Sequence, residues 1–319
     1  MSRPKVSAYV SVTVLQCKPQ GVDATMTRSV EVFQVDAFTT QRFSGNAAGV
    51  VLGAEALSDE EMQLIAREIN SGDTAFVGAP QGDDHDLTIR FFTPHKEMPF
   101  VGHATLAAHA VLQARDPRPL RRQRGRNGII EVRALDGGRL SIRAPAPPLG
   151  RHPDADECAT VLQLLGLDTG ALDPACPPQI IGSAGTRLVI GLAQASSLAQ
   201  VTPRLPELAR LSAQIGAQGY FLFAREGAPE GCLTESRMFC PALGIDEDPA
   251  SGNAHGMLGC YFAALGLLPA SNRFTGAQGR FMKRPSRIDV EVLRDAGGAA
   301  VATTIAGGAV IVLQGRIAL

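Results

Sequence analysis

The chain has 319 residues, of which 45% are hydrophobic and 19% charged, and its 30 basic and 31 acidic side chains give a net charge of -1. This length is enough for one large domain or two ordinary ones with a buried core. The balanced charge excludes a globally basic nucleic-acid binder, the content of 0 Trp and 3 Tyr argues against a base-stacking surface, and no apolar run approaches the roughly 18 residues of a membrane span.

The cysteines and the N-terminus indicate the compartment. None of the six cysteines lies in a C-x-x-C pair, so the sequence predicts free thiols in a reducing cytoplasm. Because no P-loop, G-x-G-x-x-G or H-E-x-x-H motif occurs either, we expect neither a metal nor a cofactor. Residues 1–28 are expected to form a loosely ordered extension. Met26 is a candidate natural start, because the first convincing strand, residues 30–35, begins just after it.

The first half of the chain alternates strand and helix signals. Ser58 and Glu61 form a capping box at the start of an amphipathic helix, which we expect to end near Asn70 or Gly72. Residues 102–112 are small or apolar nearly all round, which is typical of a helix buried on every side. The remaining elements are strands at residues 48–53, 74–77, 87–92, 128–133 and 139–143, the last two joined by a Gly-rich turn.

Four prolines between residues 145 and 153 predict a linker, after which the pattern restarts. A second apolar helix is predicted at residues 252–265. The other predicted elements are helices at 156–165 and 204–214 and strands at 179–191, 220–224 and, in several pieces, 287–318. We therefore expect a first domain over residues 29–145 and a second over residues 146–304, with a final strand, about residues 305–319, that returns to the first domain.

An internal repeat supports this division. Each half contains Phe-x-Pro, an acidic residue, Pro, and then Gly opening a buried helix. The matching positions are Phe92, Pro94, Glu97, Pro99 and Gly102 in the first half and Phe239, Pro241, Glu247, Pro249 and Gly252 in the second. Two such matches indicate duplicated domains whose helix N-termini face one cleft, a geometry suited to a small carboxylate.

Polar side chains gather at these helix starts: His103 in the first half, and Asp248, Ser251 and Asn253 in the second. Asp73 follows the capping-box helix. Each has a simpler interpretation beside the catalytic one. Asp73 could be a turn former rather than a general base, His103 could bond only to backbone, and Asp248 could merely cap its helix.

Five motifs in register resemble the PhzF family, phenazine-biosynthesis-like isomerases within the diaminopimelate-epimerase fold. They are Val35–Thr39, Phe43–Val50, Phe92–Pro94, Pro99–Leu106 and Glu247–Ala254. The resemblance runs from about residue 29 to the C-terminus. It implies an α+β protein of two similar domains, each a curved sheet around a central buried helix, with the active site in the cleft between them.

The resemblance also implies roles for single residues. Asp73 stands where the family has its catalytic Glu, Gly72 where Ser is usual, and Gly102 and His103 match the family's Gly-His pair. Asp248 begins the segment D-P-A-S-G-N, in which Ser251 replaces Thr and Asn253 replaces Ser. An Asp is one methylene shorter than Glu, which moves the carboxylate about 1.3 to 1.5 Å, and a misplacement of about 1 Å can cost about 100-fold in rate.

The implied activity is cofactor-independent isomerisation, in which a carboxylate moves a proton between carbons of a small carboxylic acid. Asp73, His103 and Asp248 would be catalytic, and Gly72, Gly102, Ser251, Gly252 and Asn253 would bind substrate. The resemblance further implies a homodimer. Two alternatives remain: an amino-acid or hydroxy-acid epimerase or racemase of the same fold, although neither helix start carries the cysteine that two-thiol racemases use, and a catalytically silent protein that binds a small acid.

Overall fold

The computed structural model describes residues 28–183 and 185–319. The predicted N-terminal extension lies outside these residues except for Arg28, whose guanidinium pairs with Glu61 at 2.9 Å. The first half contains two α-helices, α1 (Asp59–Ile69) and α2 (Gly102–Arg115), and the strands β1 (Ser29–Ala37), β2 (Asn46–Leu52), β3 (Asp73–Gly78), β4 (Leu87–Phe92), β5 (Glu97–Met98), β6 (Leu120–Gly125), β7 (Gly128–Ala134) and β8 (Leu140–Pro145).

The second half repeats this arrangement with additional helices. Its helices are α3 (Ala155–Leu164), α4 (Ala195–Leu198), α5 (Leu205–Ile215) and α6 (Gly252–Leu265). Its strands are β9 (Gln179–Ile181), β10 (Arg187–Leu192), β11 (Tyr220–Ala224), β12 (Thr234–Cys240), β13 (Ile245–Asp248), β14 (Arg273–Gln278), β15 (Ser286–Arg294) and β16 (Ala300–Gly307), followed by the terminal β17 (Ala309–Ala318).

The same pattern of strand pairing occurs in both halves. In the first, β1 is antiparallel to β2, β2 parallel to β3, β3 antiparallel to β4, and β4 parallel to β6, which continues antiparallel into β7 and β8. Strands β9 to β16 repeat each of these pairings in order, with β12 beside β14. The fold is thus α+β and duplicated, with a short strand and then a buried helix at the same place in each half.

Two pairings join the halves. Strand β8 is antiparallel to β16, which makes the two curved sheets continuous, and β17 returns from the second half to pair with β1. Within the described ranges all 17 strands belong to one hydrogen-bonded sheet. The exact domain boundaries stay a prediction.

Local sequence signals explain several element ends. The capping box is confirmed: Ser58 Oγ accepts the amide of Glu61 at 3.2 Å, and Glu61 Oε2 accepts the amide of Ser58 at 2.8 Å. Helix α1 ends at Ile69 and is followed by Asn70 as its C-cap, which adopts a left-handed conformation (φ 50°), a geometry that Asn tolerates better than most residues.

Two sequence interpretations needed correction. The predicted strand at 179–191 is a pair of antiparallel strands, β9 and β10, because the glycines at 182 and 185 adopt positive φ and turn the chain. Strand β6 went unpredicted because it is rich in arginine. Arg121 is nevertheless buried, at 5% exposure, where it donates to Gln113 and to the carbonyl of Asp116.

The two apolar helices are buried as predicted. Helix α2 contacts β1, β2, β3, β8 and β17, and α6 contacts β15 and β16. Small residues allow close packing, since a Cβ at Gly259 of α6 would lie 2.9 Å from Val292 Cγ2. Among the described residues, no helix combines the length and the apolar character needed to cross a bilayer.

Candidate active site

The N-termini of α2 and α6 begin in the same way but are capped differently. Val101 precedes α2 and provides no side-chain cap, whereas Ser251 Oγ accepts the amide of Ala254 at 3.3 Å in α6. In the described part of the chain, the amides of Gly102, His103 and Ala104 in α2 and of Gly252 and Asn253 in α6 have no hydrogen-bond acceptor. Both helix starts can therefore receive an anion.

Asp73 and His103 meet at the first of these helix starts. Asp73 is the first residue of β3, and its Oδ2 lies 3.6 Å from Nε2 of His103, the second residue of α2. Both side chains keep a little exposed surface, 17% and 13%. Burial raises the pKa of Asp73, and the adjacent imidazole partly opposes this. A carboxylate of raised pKa beside an imidazole is suited to proton transfer.

Asp248 enters the same site from the second half. Its pKa is raised to about 6, chiefly by burial and further by the charge of Asp73, while His103 and Arg187 oppose the shift. Its Oδ1 accepts the Asn46 amide at 2.8 Å and the backbone amide of Ala250 at 3.2 Å. No described residue donates to Oδ2, and the side chain is only partly buried, so this oxygen can face a ligand.

Asn46 and Gln278 belong to the site but were not predicted. Asn46, the first residue of β2, connects the halves by donating to Asp248 and to the carbonyl of Ala250. Gln278, the last residue of β14, donates to the carbonyl of Asp248 at 2.5 Å and accepts the amide of Ser251 at 3.1 Å. Asn46 lies in a motif that the sequence highlights, whereas no local signal marks Gln278.

A second contact between the halves holds the loop before Asn46. Arg284 donates to Asp36 Oδ1 at 2.6 Å and to the carbonyls of Ser44 and Gly45 at 2.9 and 2.8 Å. Asp36 in turn accepts the amide of Phe43 at 2.6 Å. This network fixes the approach to β2 and thereby the position of the Asn46 amide against Asp248.

An Arg–Glu pair supports each helix start. Arg90 binds Glu97 through two hydrogen bonds of 2.8 and 3.0 Å, and Arg237 binds Glu247 through two of 2.8 Å. Each guanidinium also lies over an aromatic ring, 5.1 Å from the centre of Phe92 in the first half and 4.9 Å from that of Phe239 in the second. The repeated acidic residues are therefore anchors for β5 and β13 and not part of the cleft chemistry.

The remaining predicted residues occupy distinct positions. Gly72 is exposed in the turn before Asp73 with φ 79°, a conformation that favours glycine. Gly102 and Gly252 are the first residues of α2 and α6, and a Cβ at Gly252 would lie 2.9 Å from Ile305 Cγ2 and 3.0 Å from Phe38 Cζ. The Ser251 hydroxyl is used as a helix cap. A substrate at the start of α6 would therefore be contacted mainly by the backbone amides of Gly252 and Asn253 and by the Asn253 side chain.

Thiols and metal ligands are not arranged for chemistry in the described ranges. Cys240 ends β12 in the approach to the second helix, and burial raises the pKa of this fully enclosed thiol to about 12. Nowhere in residues 28–183 and 185–319 do three His, Cys, Asp or Glu side chains form a group that could hold a metal ion. The groups that can exchange protons in this cleft are thus carboxylates and an imidazole.

Comparison with known proteins identifies the family of this chain. The family described as phenazine biosynthesis-like protein matches residues 35–315. The Escherichia coli protein named uncharacterized isomerase YddE is 37% identical over 299 residues, 91% of this chain and 98% of that one. Trans-2,3-dihydro-3-hydroxyanthranilate isomerase of Pseudomonas aeruginosa is 29% identical over 290 residues, 88% of this chain and 97% of that one.

Solved structures show the same fold. The PhzF-family phenazine biosynthesis protein of Bacillus anthracis superimposes with a TM-score of 0.83 at 25% identity, covering 92% of this chain and 100% of that one. A hydroxyproline epimerase from Agrobacterium vitis shares the fold alone, with a TM-score of 0.57 at 12% identity over 92% of this chain and 93% of that one. The chain belongs to the phenazine biosynthesis-like protein family and is an isomerase of the PhzF type.

Proposed function

We propose that this isomerase moves a proton between carbons of a small carboxylic acid without a cofactor, with Asp73 as the general base and acid. The observation that carries the proposal is the placement of the Asp73 carboxylate 3.6 Å from the His103 imidazole, at the uncapped N-terminus of α2. A base for a carbon acid needs a pKa above that of an exposed carboxylate, and burial shifts Asp73 in this direction.

The proposed reaction has two proton transfers. Asp73 takes a proton from an acidified carbon of the substrate, and the electron pair left behind is delocalised toward the substrate's unsaturated or carbonyl group. The free amides at the starts of α2 and α6 hold the substrate carboxylate and stabilise the negative charge. Protonated Asp73 then returns the proton to a different carbon. His103 orients the carboxyl group of Asp73, and Asp248 contacts the substrate from the second half.

Proton NMR in deuterated water tests this proposal. Wild-type protein, Asp73→Asn and the control Asp136→Asn, which changes an exposed hairpin carboxylate, are mixed with trans-2,3-dihydro-3-hydroxyanthranilate and a panel of amino and hydroxy acids. The Pseudomonas relative's name motivates the first compound. We expect deuterium uptake or isomerisation with wild type and Asp136→Asn, and a loss of at least about 100-fold with Asp73→Asn.

The same experiment separates the alternatives. Full exchange by Asp73→Asn would refute the assigned base. Exchange at one stereocentre with inversion, and no migration of a double bond, would identify an epimerase. Binding without any exchange by wild type would identify a silent acid-binding protein. Asp73→Glu adds a further comparison, because it restores the reach of the longer side chain that the PhzF resemblance implies.

A further inference from the structure

A buried arginine beside the second helix start makes no direct ion pair with any carboxylate of the described residues. Arg187, the first residue of β10, is only 7% exposed. Its Nη1 donates to the carbonyls of Gly185 and Thr186 at 2.9 and 3.0 Å, while Nε is buried and has no hydrogen-bond partner. No carboxylate of the described residues lies within ion-pair distance of it. Burying a cation without a counter-charge is costly, so such a site is expected to receive an anion.

A small polar space adjoins this guanidinium. A Cβ placed on Gly185 would have as nearest neighbours Arg187 Nη1 and Asn253 Nδ2, both at 3.9 Å, and Gln218 Oε1 at 4.0 Å. The absence of a side chain at residue 185 thus leaves room beside the Arg187 guanidinium and the Asn253 amide. One donor belongs to the predicted substrate-binding residue Asn253, the second residue of α6.

Tight packing fixes the guanidinium in this position. A Cβ at Gly219 would lie 3.0 Å from Arg187 Cδ and 2.4 Å from Cys240 Sγ, so the arginine stem has little freedom to move. The positive charge also acts on the cleft, because Arg187 lowers the pKa of Asp248 against the larger effect of burial. Arg187 is therefore part of the electrostatics of the candidate active site.

We propose that Arg187 and Asn253 form a second anion subsite in this cleft, and that the natural substrate is a small dicarboxylic acid. This rests on the proposed function, in which the amides at the helix starts hold the first carboxylate. The second carboxylate would accept hydrogen bonds from the Arg187 guanidinium and the Asn253 amide, and it would form the direct ion pair that Arg187 does not make with any described carboxylate. An arginine suits this role because its planar guanidinium can present two donors to one carboxylate.

Calorimetric titration of Asp73→Asn tests the subsite without turnover. Malonate, succinate and glutarate are compared with acetate, propionate and butyrate. We expect the best dicarboxylate to bind at least about tenfold more tightly than the best monocarboxylate, because charge-assisted hydrogen bonds are the stronger class. Equal affinity for the two sets, or no binding of any dicarboxylate at millimolar concentration, would overturn the proposal.

Arginine variants in the same Asp73→Asn background locate the effect. Arg187→Gln should abolish the preference for dicarboxylates, Arg187→Lys should retain part of it, and Arg294→Gln, which changes an exposed arginine on β15, should leave it intact. Asn253→Ser provides a milder change if Arg187→Gln does not fold, and it should weaken dicarboxylate binding alone. A preference that survives both Arg187→Gln and Asn253→Ser would contradict the assignment.

The outcomes distinguish this inference from the proposed function. Dicarboxylate binding that depends on Arg187, with no deuterium exchange by wild type on any compound, would support the subsite and refute the proposed proton transfer.

Exchange on a monocarboxylate, with no advantage for dicarboxylates in titration, would support the proton transfer and refute the proposed subsite.

Discussion

The two helix starts have the same backbone design but different chemistry. In each half a Glu on a short strand is bound by an Arg that also lies over a Phe ring, and a Pro and then a Gly lead into a buried helix. The segments that follow the anchors are E-M-P-F-V-G-H in the first half and E-D-P-A-S-G-N in the second. The anchoring residues are the same in both segments. Among the residues that differ are Met98, Val101 and His103, whose equivalents in the second half are Asp248, Ser251 and Asn253.

This difference divides the site between the halves. The first half contributes an imidazole and an uncapped helix start next to Asp73, and the second contributes the partly buried carboxylate of Asp248, a capped helix start and the cationic Arg187. The two halves thus share the same backbone arrangement at their helix starts, and they differ in a few side chains that give each half different chemical groups. The following variants change either the Arg–Glu anchors that both halves share or the side chains that differ between them.

The largest effect is expected from the Arg–Glu anchor of the second half. Arg237 is 11% exposed and also donates to the carbonyls of Leu198 and Val201, whereas Arg90 is 35% exposed. Removing one partner of a buried pair costs about 3–5 kcal/mol, against about 1 kcal/mol or less at the surface. Chemical denaturation should therefore show a much larger loss for Arg237→Met than for Arg90→Met. Equal losses would mean that the two anchors are energetically alike.

Asp248→Asn should change the pH dependence of stability. Its folded pKa of about 6 lies above the ordinary value of 3.8, so the native state is favoured by this group below about pH 4 and loses that contribution as the pH rises through 6. The loss reaches at most about 3 kcal/mol, since each pKa unit is worth about 1.36 kcal/mol and the side chain is partly accessible. In denaturation from pH 4 to 8, the stability of Asp248→Asn relative to wild type should thus increase as the pH rises.

The matched control for this measurement is Asp246→Asn, an exposed carboxylate on the same strand. Its difference from wild type should be small at every pH. A pH-independent difference for Asp248→Asn would show that burial does not penalise the ionised carboxylate.

His103→Asn gives the first helix the residue that the second helix has at the same position. Because His103 orients the catalytic carboxyl group, and a misplacement of about 1 Å can cost about 100-fold, the deuterium-exchange rate should fall by about that factor, which corresponds to about 2.7 kcal/mol. Stability should change little, since His103 is at the helix start with part of its surface exposed. His95→Asn, an exposed histidine, is the control, and an unchanged rate in His103→Asn would exclude a role in proton transfer.

The smallest effect is expected at the caps. Ser251→Ala removes the bond from Ser251 Oγ to the amide of Ala254 and should cost about 1 kcal/mol. Val101→Thr gives α2 the cap oxygen that it lacks and should not reproduce this loss. Thermal unfolding measures the stability of both variants. A Ser251→Ala protein as stable as wild type would show that the difference in capping does not affect stability.

Patterns within a few residues determined much of this protein. The capping box, the positions of α2 and α6 and the repeated Glu-x-Pro approach were readable because each depends on neighbours along the chain. The two apolar helices were recognisable as buried because they have no polar face. The sequence also identified Asp73, His103 and Asp248 as candidates, and their roles stay predictions.

Only the tertiary structure decided which distant side chains meet. Asn46 reaches Asp248 across 202 residues, and Gln278 joins Asp248 to Ser251 from another strand. These contacts depend on the pairing and curvature of the sheet, which no local pattern encodes. For the same reason a charged residue such as Arg187, at the start of an apolar strand, gave no sign in the sequence that its guanidinium lies buried beside the cleft. The ends of a helix are set by residues adjacent in the sequence, whereas an active site between two halves forms only when the halves pack together.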